Sequence, residues 1–163
     1  MPSRSAIVLA SALHVLRPLA RLAVSYGMPY AAVEDAVRES FIDAARESLL
    51  EQGLPPHRLV SRIKTPWSIY NKMRDENKSF DQVMDVFGFR LVVRSVPSAY
   101  HALGAVHAAF KPLDARFRDF IAIPKANGYQ SLHTVLFGPY GAPVEVQIRT
   151  EDMDLVAERG IAA

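Results

Sequence analysis

Across Val144-Glu145-Val146-Gln147-Ile148-Arg149, apolar and polar side chains alternate without a break. A β-strand sends successive side chains to opposite faces, so Val144, Val146 and Ile148 share one face and Glu145, Gln147 and Arg149 the other. Such a strand needs a sheet whose first face is covered by apolar neighbours. Its second face then carries a carboxylate, an amide and a guanidinium. That face is either solvated surface or the floor of a polar site, and residues elsewhere in the chain decide between the two.

A second strand is expected over Val86-Phe87-Gly88-Phe89-Arg90-Leu91-Val92-Val93, an apolar and aromatic run opened by Asp85, in which Gly88 leaves room for either regular pairing or a bulge. Ser131 to Phe137 and Val144 to Ile148 flank the turn-rich Gly138-Pro139-Tyr140-Gly141-Ala142 and read as a strand pair. Arg116 to Ile123 alternates like a further strand, and Pro124-Lys125-Ala126-Asn127-Gly128 follows as a loop.

Helical periodicity runs from Ser5 to about Gly27 and again from near Pro29 to Gln52, where Val33, Ala36, Val37, Phe41, Ala44 and Leu49 fall on one side. Thr65-Pro66 starts a helix that continues to about Arg74. Two more helices are expected over Pro97 to about Phe110 and Glu151 to Ile161. Gly53-Leu54-Pro55-Pro56 interrupts the pattern, because two prolines remove donors and extend the backbone. The reading is therefore an N-terminal helical hairpin over 1–56, then a domain over 57–163. The element order gives the fold class α+β, a mixed sheet flanked by helices.

The 163 residues suffice for one core, with roughly two thirds of the unfolded surface buried. No cysteine is present, which removes disulfides, thiol nucleophiles and thiolate zinc sites, and suits the cytoplasm. The 19 Lys+Arg residues against 17 Asp+Glu give a net charge of +2, far from a polybasic protein, so nucleic acid is not an expected partner. The apolar run Ala6 to Leu13 resembles a short secretory signal, but it is far below the about 20 residues of a membrane span. Leu9, Leu13, Leu16 and Leu19 recur at helical spacing, so an amphipathic helix is the expectation, with no membrane partner. Walker, Rossmann and His-Glu-x-x-His motifs are absent.

Several residues could carry chemistry. Asp85, at the mouth of an apolar strand, is either a turn residue or half of an oxygen-donor pair with Glu145, the kind of pair Mg²⁺ uses while sharing its shell with phosphates. Parity puts Asp85 and Arg90 on opposite faces of a regular strand. Arg62, Lys64, Lys72, Arg116, Arg118 and Lys125 are either surface charges or a polyphosphate grip. Tyr129, after Asn127-Gly128, is a half-buried hairpin residue or a stacking platform for a nucleobase. His133 is a sheet histidine with its hydrogen bonds met, or a phosphate donor.

Taken in order, Ser61-Arg62-Ile63-Lys64-Thr65-Pro66-Trp67-Ser68-Ile69-Tyr70-Asn71-Lys72-Met73, Phe80 to Arg90, Arg116 to Thr134 with its Asn127-Gly128-Tyr129-Gln130-Ser131-Leu132-His133 run, and Glu145 to Thr150 resemble the synthetase domain of the RelA/SpoT alarmone enzymes. The resemblance covers about residues 58–163. It implies a nucleotidyltransferase-like mixed sheet and Mg²⁺-dependent transfer of the β,γ-pyrophosphate of ATP to the 3′-hydroxyl of GDP or GTP, giving ppGpp or pppGpp. By position, Asp85 resembles the family's metal-binding aspartate, and Glu145 its second carboxylate, which binds metal or takes the hydroxyl proton. Tyr129 resembles the tyrosine that stacks on the acceptor guanine, and Arg62 the arginine that stacks on adenine. Lys64, Lys72, Arg90, Arg118, Lys125, Asn127, His133, Gln147 and Arg149 fall where nucleotide and phosphate groups are lined.

Arg116-Phe117-Arg118-Asp119 resembles the basic version of a family motif with Arg in place of Lys at 118, which puts rate or acceptor preference in question. The residues before the match are too few for the family's hydrolase domain and carry no His-Asp pair of its type, so alarmone hydrolysis is not expected. The other reading is a weak or inactive guanine-nucleotide-binding regulatory fragment. A homo-oligomer is compatible with either.

Overall fold

The computed structural model describes residues 27, 30–55, 58–63, 66–78 and 87–160. Helix α1 (Tyr30–Glu51) buries Val37, Phe41, Ala45 and Leu49, spaced every fourth residue, on one stripe. It stops where Gly53 turns left-handed at φ +71° and the Leu54 amide returns to the Leu49 carbonyl at 2.8 Å. Strand β1 (Arg58–Ile63), helix α2 (Pro66–Asp75) and strand β2 (Phe87–Val93) follow.

Helix α3 (Val96–Ala109) is capped by the Ser95 hydroxyl, which accepts from the Ser98 amide, and has Pro97 in its first turn. Its inward side is small: Ala99, Ala102 and Ala105 are fully buried. That lets α1 come close enough for Ser48 to donate to the Ala105 carbonyl at 2.8 Å.

Strands β3 (Arg118–Asp119), β4 (Leu132–Phe137) and β5 (Pro143–Thr150) complete the sheet, and helix α4 (Glu151–Glu158) leaves the end of β5 with its acidic first turn capped by Thr150. The strand order is β1-β2-β5-β4-β3; β2 and β5 are parallel and the other pairs antiparallel. The expected mixed α+β sheet is therefore present.

Phe87, Phe89, Leu91 and Val93 of β2, Val144, Val146 and Ile148 of β5, and Leu132 and Leu136 of β4 face α1 and α3 in one apolar core. The Phe41 ring bridges the layers, 4.1 Å from Phe89 and 4.9 Å from Phe110 between centroids. The helix before the Gly53–Pro56 interruption and the sheet after it thus share a core. No helix among the described residues is long and apolar enough to cross a membrane.

Three differences from the sequence expectations matter, and the choice at Gly88 is decided. Arg58–Ile63 is a strand that the sequence pattern does not announce. Of the strand expected over Arg116–Ile123 only Arg118–Asp119 pairs, because the Asp119 carboxylate takes the Ile121 and Ala122 amides and turns the chain. Gly88 makes no bulge: it pairs in unbroken register with Arg62 on one side and Glu145 on the other. The last helix ends at Glu158 rather than Ile161, with Gly160 left-handed at φ +73°. The first expected helix, Asp85, Lys64 and the Thr65 cap lie outside the described residues.

Candidate functional site

The core takes one face of the sheet; the other is built from the polar half of each alternation. Adjacent positions across it are Arg62, Gly88 and Glu145 in one row, and Val60, Arg90, Gln147, His133 and Arg118 in the next. Helix α4 lies beside this face, and the space between is a cleft of about 910 Å³. It is lined from β1 by Arg58, Val60 and Arg62, from β2 by Gly88 and Arg90, from β5 by Glu145 and Gln147, and from α4 by Glu151, Asp154, Leu155 and Glu158. A methyl group on Gly88 would meet the Arg62 carbonyl at 3.4 Å, an ordinary contact. What the glycine preserves is an open floor between Arg62 and Glu145.

One flank holds an aromatic and basic array. Gly128 (φ +85°) allows the tight loop in which the Gly128 amide reaches the Lys125 carbonyl at 2.8 Å. Asn127 uses its side-chain oxygen to accept from the Tyr129 amide, a loop-holding role. Tyr129 then stands edge-on to Phe120 and His133, with the Lys125 ammonium 5.2 Å and the Arg149 guanidinium 5.4 Å from its ring centroid. The Tyr129 hydroxyl meets His133 Nε2 at 2.7 Å and accepts from Arg149 at 3.1 Å. His133 Nδ1 lies 3.4 Å from Glu145 Oε1.

Burial pushes the His133 imidazole down to about 4, with the Arg149 and Lys125 charges adding to the effect, so the ring is neutral at pH 7. One proton arrangement then satisfies every group: Arg149 donates to the Tyr129 oxygen, Tyr129 donates to Nε2, and Nδ1–H faces Glu145. Arg149 is 2% exposed, and its burial holds its pKa below the ordinary arginine value. It is paired with Asp154 at 3.4 Å and donates to the Gln147 amide oxygen.

Glu145, Gln147, Arg149, His133, Tyr129, Lys125, Arg90 and Arg62 are thus gathered on one face or at its rim. Arg118 is opposite His133 in register, but its guanidinium folds back to the Ala115 and Phe117 carbonyls. Lys72, on α2, is not among the residues that line the cleft. Asp85 and Lys64 lie outside the described residues, and no group of three His, Asp or Glu forms a metal cage among those described.

Sequence reasoning alone misses Arg58, Phe120, Asp154 and Glu158. For the last two a signal exists: Glu151, Asp154 and Glu158 recur at three and four residues, one acidic helix face directly after a strand with a basic end.

A sequence profile described as a region found in RelA / SpoT proteins matches residues 61–163. A guanosine-3′,5′-bis(diphosphate) 3′-pyrophosphohydrolase of Vibrio cholerae is 56% identical over 115 residues, 71% of this chain and 16% of that protein. A GTP pyrophosphokinase of Myxococcus xanthus is 48% identical over 130 residues, 77% of this chain and 17% of that protein. The chain therefore spans about one sixth of the length of these curated relatives. Among solved structures, small alarmone synthetase 1 of Bacillus subtilis superposes with a TM-score of 0.64 at 28% identity, covering 85% of this chain and 74% of that one.

Proposed function

The chain belongs to the RelA/SpoT family, and from that premise we propose that it is a pyrophosphokinase unit that makes ppGpp or pppGpp from ATP and GDP or GTP. The observation that carries the reading is the continuous array Arg149–Tyr129–His133–Glu145, which reaches the cleft at Glu145 and sets an aromatic ring beside a carboxylate. A relative of the fold, small alarmone synthetase 1 of Bacillus subtilis, was solved with its product pppGpp.

In this reading the acceptor guanine stacks on Tyr129 and its 3′-hydroxyl is turned towards Glu145. The hydroxyl oxygen bonds to the β-phosphorus of ATP, the bond from that phosphorus to the α,β-bridging oxygen breaks, AMP leaves, and the hydroxyl proton passes to Glu145 Oε. Neutral His133 orients the carboxylate without quenching its charge. Arg62 and Arg90, in adjacent rows of the β1–β2 pair, hold the donor nucleotide; Lys64 and Lys125 serve its phosphates or those of the acceptor, and Arg118 and Lys72 join them only after Arg118 leaves the Ala115 and Phe117 carbonyls and Lys72 reaches over from α2.

Mg²⁺ fits the donor chemistry, since Glu145 offers a hard carboxylate oxygen, and β2 and β5 start at the same end of the sheet, with Asp85 two residues ahead of β2 in the chain. When bound it would offset phosphate charge between Asp85 and Glu145.

Purified protein with Mg²⁺, ATP and GDP or GTP is expected to yield AMP and the 3′-pyrophosphorylated product, with Glu145→Ala and Asp85→Ala each lowering the rate by about 100-fold or more. Undiminished product in both variants overturns the residue assignment. GDP binding with no product at all marks the regulatory-fragment alternative.

A further inference from the structure

Resting on the reading of Tyr129 as the acceptor platform, we propose that Asp154 is a positioning residue for that platform, tethering the Tyr129 hydroxyl through Arg149. Asp154 is 3% exposed and is the only buried carboxylate among the described residues. Three arginines from three neighbouring strands converge on it: Arg58 of β1 on Oδ2, and Arg90 of β2 and Arg149 of β5, each 3.4 Å from Oδ1. Both carboxylate oxygens are engaged, one by Arg58 and the other by Arg90 and Arg149, so the side chain is held from three sides.

Arg149 carries the constraint onward. One terminal nitrogen faces Asp154, and the other donates to the Tyr129 hydroxyl and to Gln147. Because a guanidinium is planar and rigid, fixing one nitrogen fixes the other. With only 2% of Arg149 exposed, water has little access to replace a lost partner. Without the Asp154 charge, three cations face one another, with Glu158 still offsetting Arg90 at the edge of the group, and they separate. Asp154 touches neither Tyr129 nor the acceptor, so its effect on binding is indirect.

The test uses the full chain with Asp154→Asn, Tyr129→Phe, the double variant, and Asp154→Glu, which keeps the charge but moves it by one methylene. Titration with GDP in the absence of ATP is expected to show Asp154→Asn and Tyr129→Phe each weakening binding about 5- to 20-fold, and the double variant no weaker than the worse single, because both cut one tether. Asp154→Glu is expected to fall between wild type and Asp154→Asn. In turnover, the KM for GDP rises while kcat stays within about twofold.

A thermal midpoint lowered by Asp154→Asn with GDP affinity retained, or effects that multiply in the double variant, overturns the tether. In protein without nucleotide, the Tyr129 Cζ resonance, assigned by its loss in Tyr129→Phe, is expected to shift in Asp154→Asn and Asp154→Glu. An unmoved resonance overturns the tether even where Asp154→Asn folds poorly. Wild-type protein that neither binds GDP nor forms product removes the acceptor reading instead, and the resonance still decides the tether.

Discussion

Burial decides the protonation of the histidines that the sheet holds, and this makes one prediction at the residue scale. His107 of α3 is pushed below the ordinary imidazole value of 6.5 by burial, while its ring meets the Thr134 hydroxyl at 2.8 Å. The unfolded chain takes up a proton at the ordinary value and the native one resists, so between the two the unfolded state binds more protons. Stability is therefore full above 6.5 and is lost as the pH falls towards the native value; His133, down at about 4, adds with the same sign. Denaturant midpoints are expected to drop between about pH 7.5 and about pH 5, and His107→Gln to show a shallower drop than wild type. Asp119 adds with the same sign at lower pH: burial would raise it, but the Ala122 and Ile121 amides and the Tyr100 hydroxyl hold it below the usual carboxylate value, so its contribution is also lost as the pH falls. Glu145, His133 and Tyr129 are legible as candidates because their residue types are costly or conspicuous where they stand. The protonation state of His133 is not, because it depends first on burial by the assembled fold and then on Arg149 and Lys125 arriving from other elements.

Two glycines show how differently the elements are packed. Gly104 sits in the interior of α3 with open space within 4 Å of where a methyl would stand, so Gly104→Ala is expected to stabilise the protein by about 0.5–1 kcal/mol through helix propensity alone. Gly138 opens the turn between β4 and β5, where a methyl would lie 2.5 Å from the Val144 side chain and 3.0 Å from the Ala142 carbonyl. Gly138→Ala is expected to cost about 1–3 kcal/mol, and thermal unfolding of the pair of variants reads both signs. The helices and β2, β4 and β5 are legible because their apolar periods are long. Strand β1 is not: Arg58-Leu59-Val60-Ser61-Arg62-Ile63 is a short edge strand in which Leu59 packs against the core while Arg58, Val60 and Arg62 line the cleft, an apolar signal too short to announce a strand without its pairing to β2. Arg116–Ile123 has the alternation of a strand, but one local carboxylate outcompetes the ladder.

For the molecule as a whole, one core joins α1, α3 and the sheet, and Phe41 touches both β2 and the residue that ends α3. Phe41→Ala is expected to cost about 3–5 kcal/mol and to lower a single transition seen alike by far-ultraviolet and near-ultraviolet circular dichroism; two separated transitions would show that helix and sheet do not fold together. The sequence by itself determined which side chains share a face, since a period of two or 3.6 is local geometry and needs no neighbour. It also placed Glu145, Gln147 and Arg149 opposite the core. Only the tertiary structure decided that β5 runs parallel beside β2, that α4 returns an acidic face to the polar side, and that three arginines meet on Asp154. Those pairings join residues as far apart as Arg58 and Asp154, and contact at that separation is set by the packing of the whole chain rather than by any pattern within a segment.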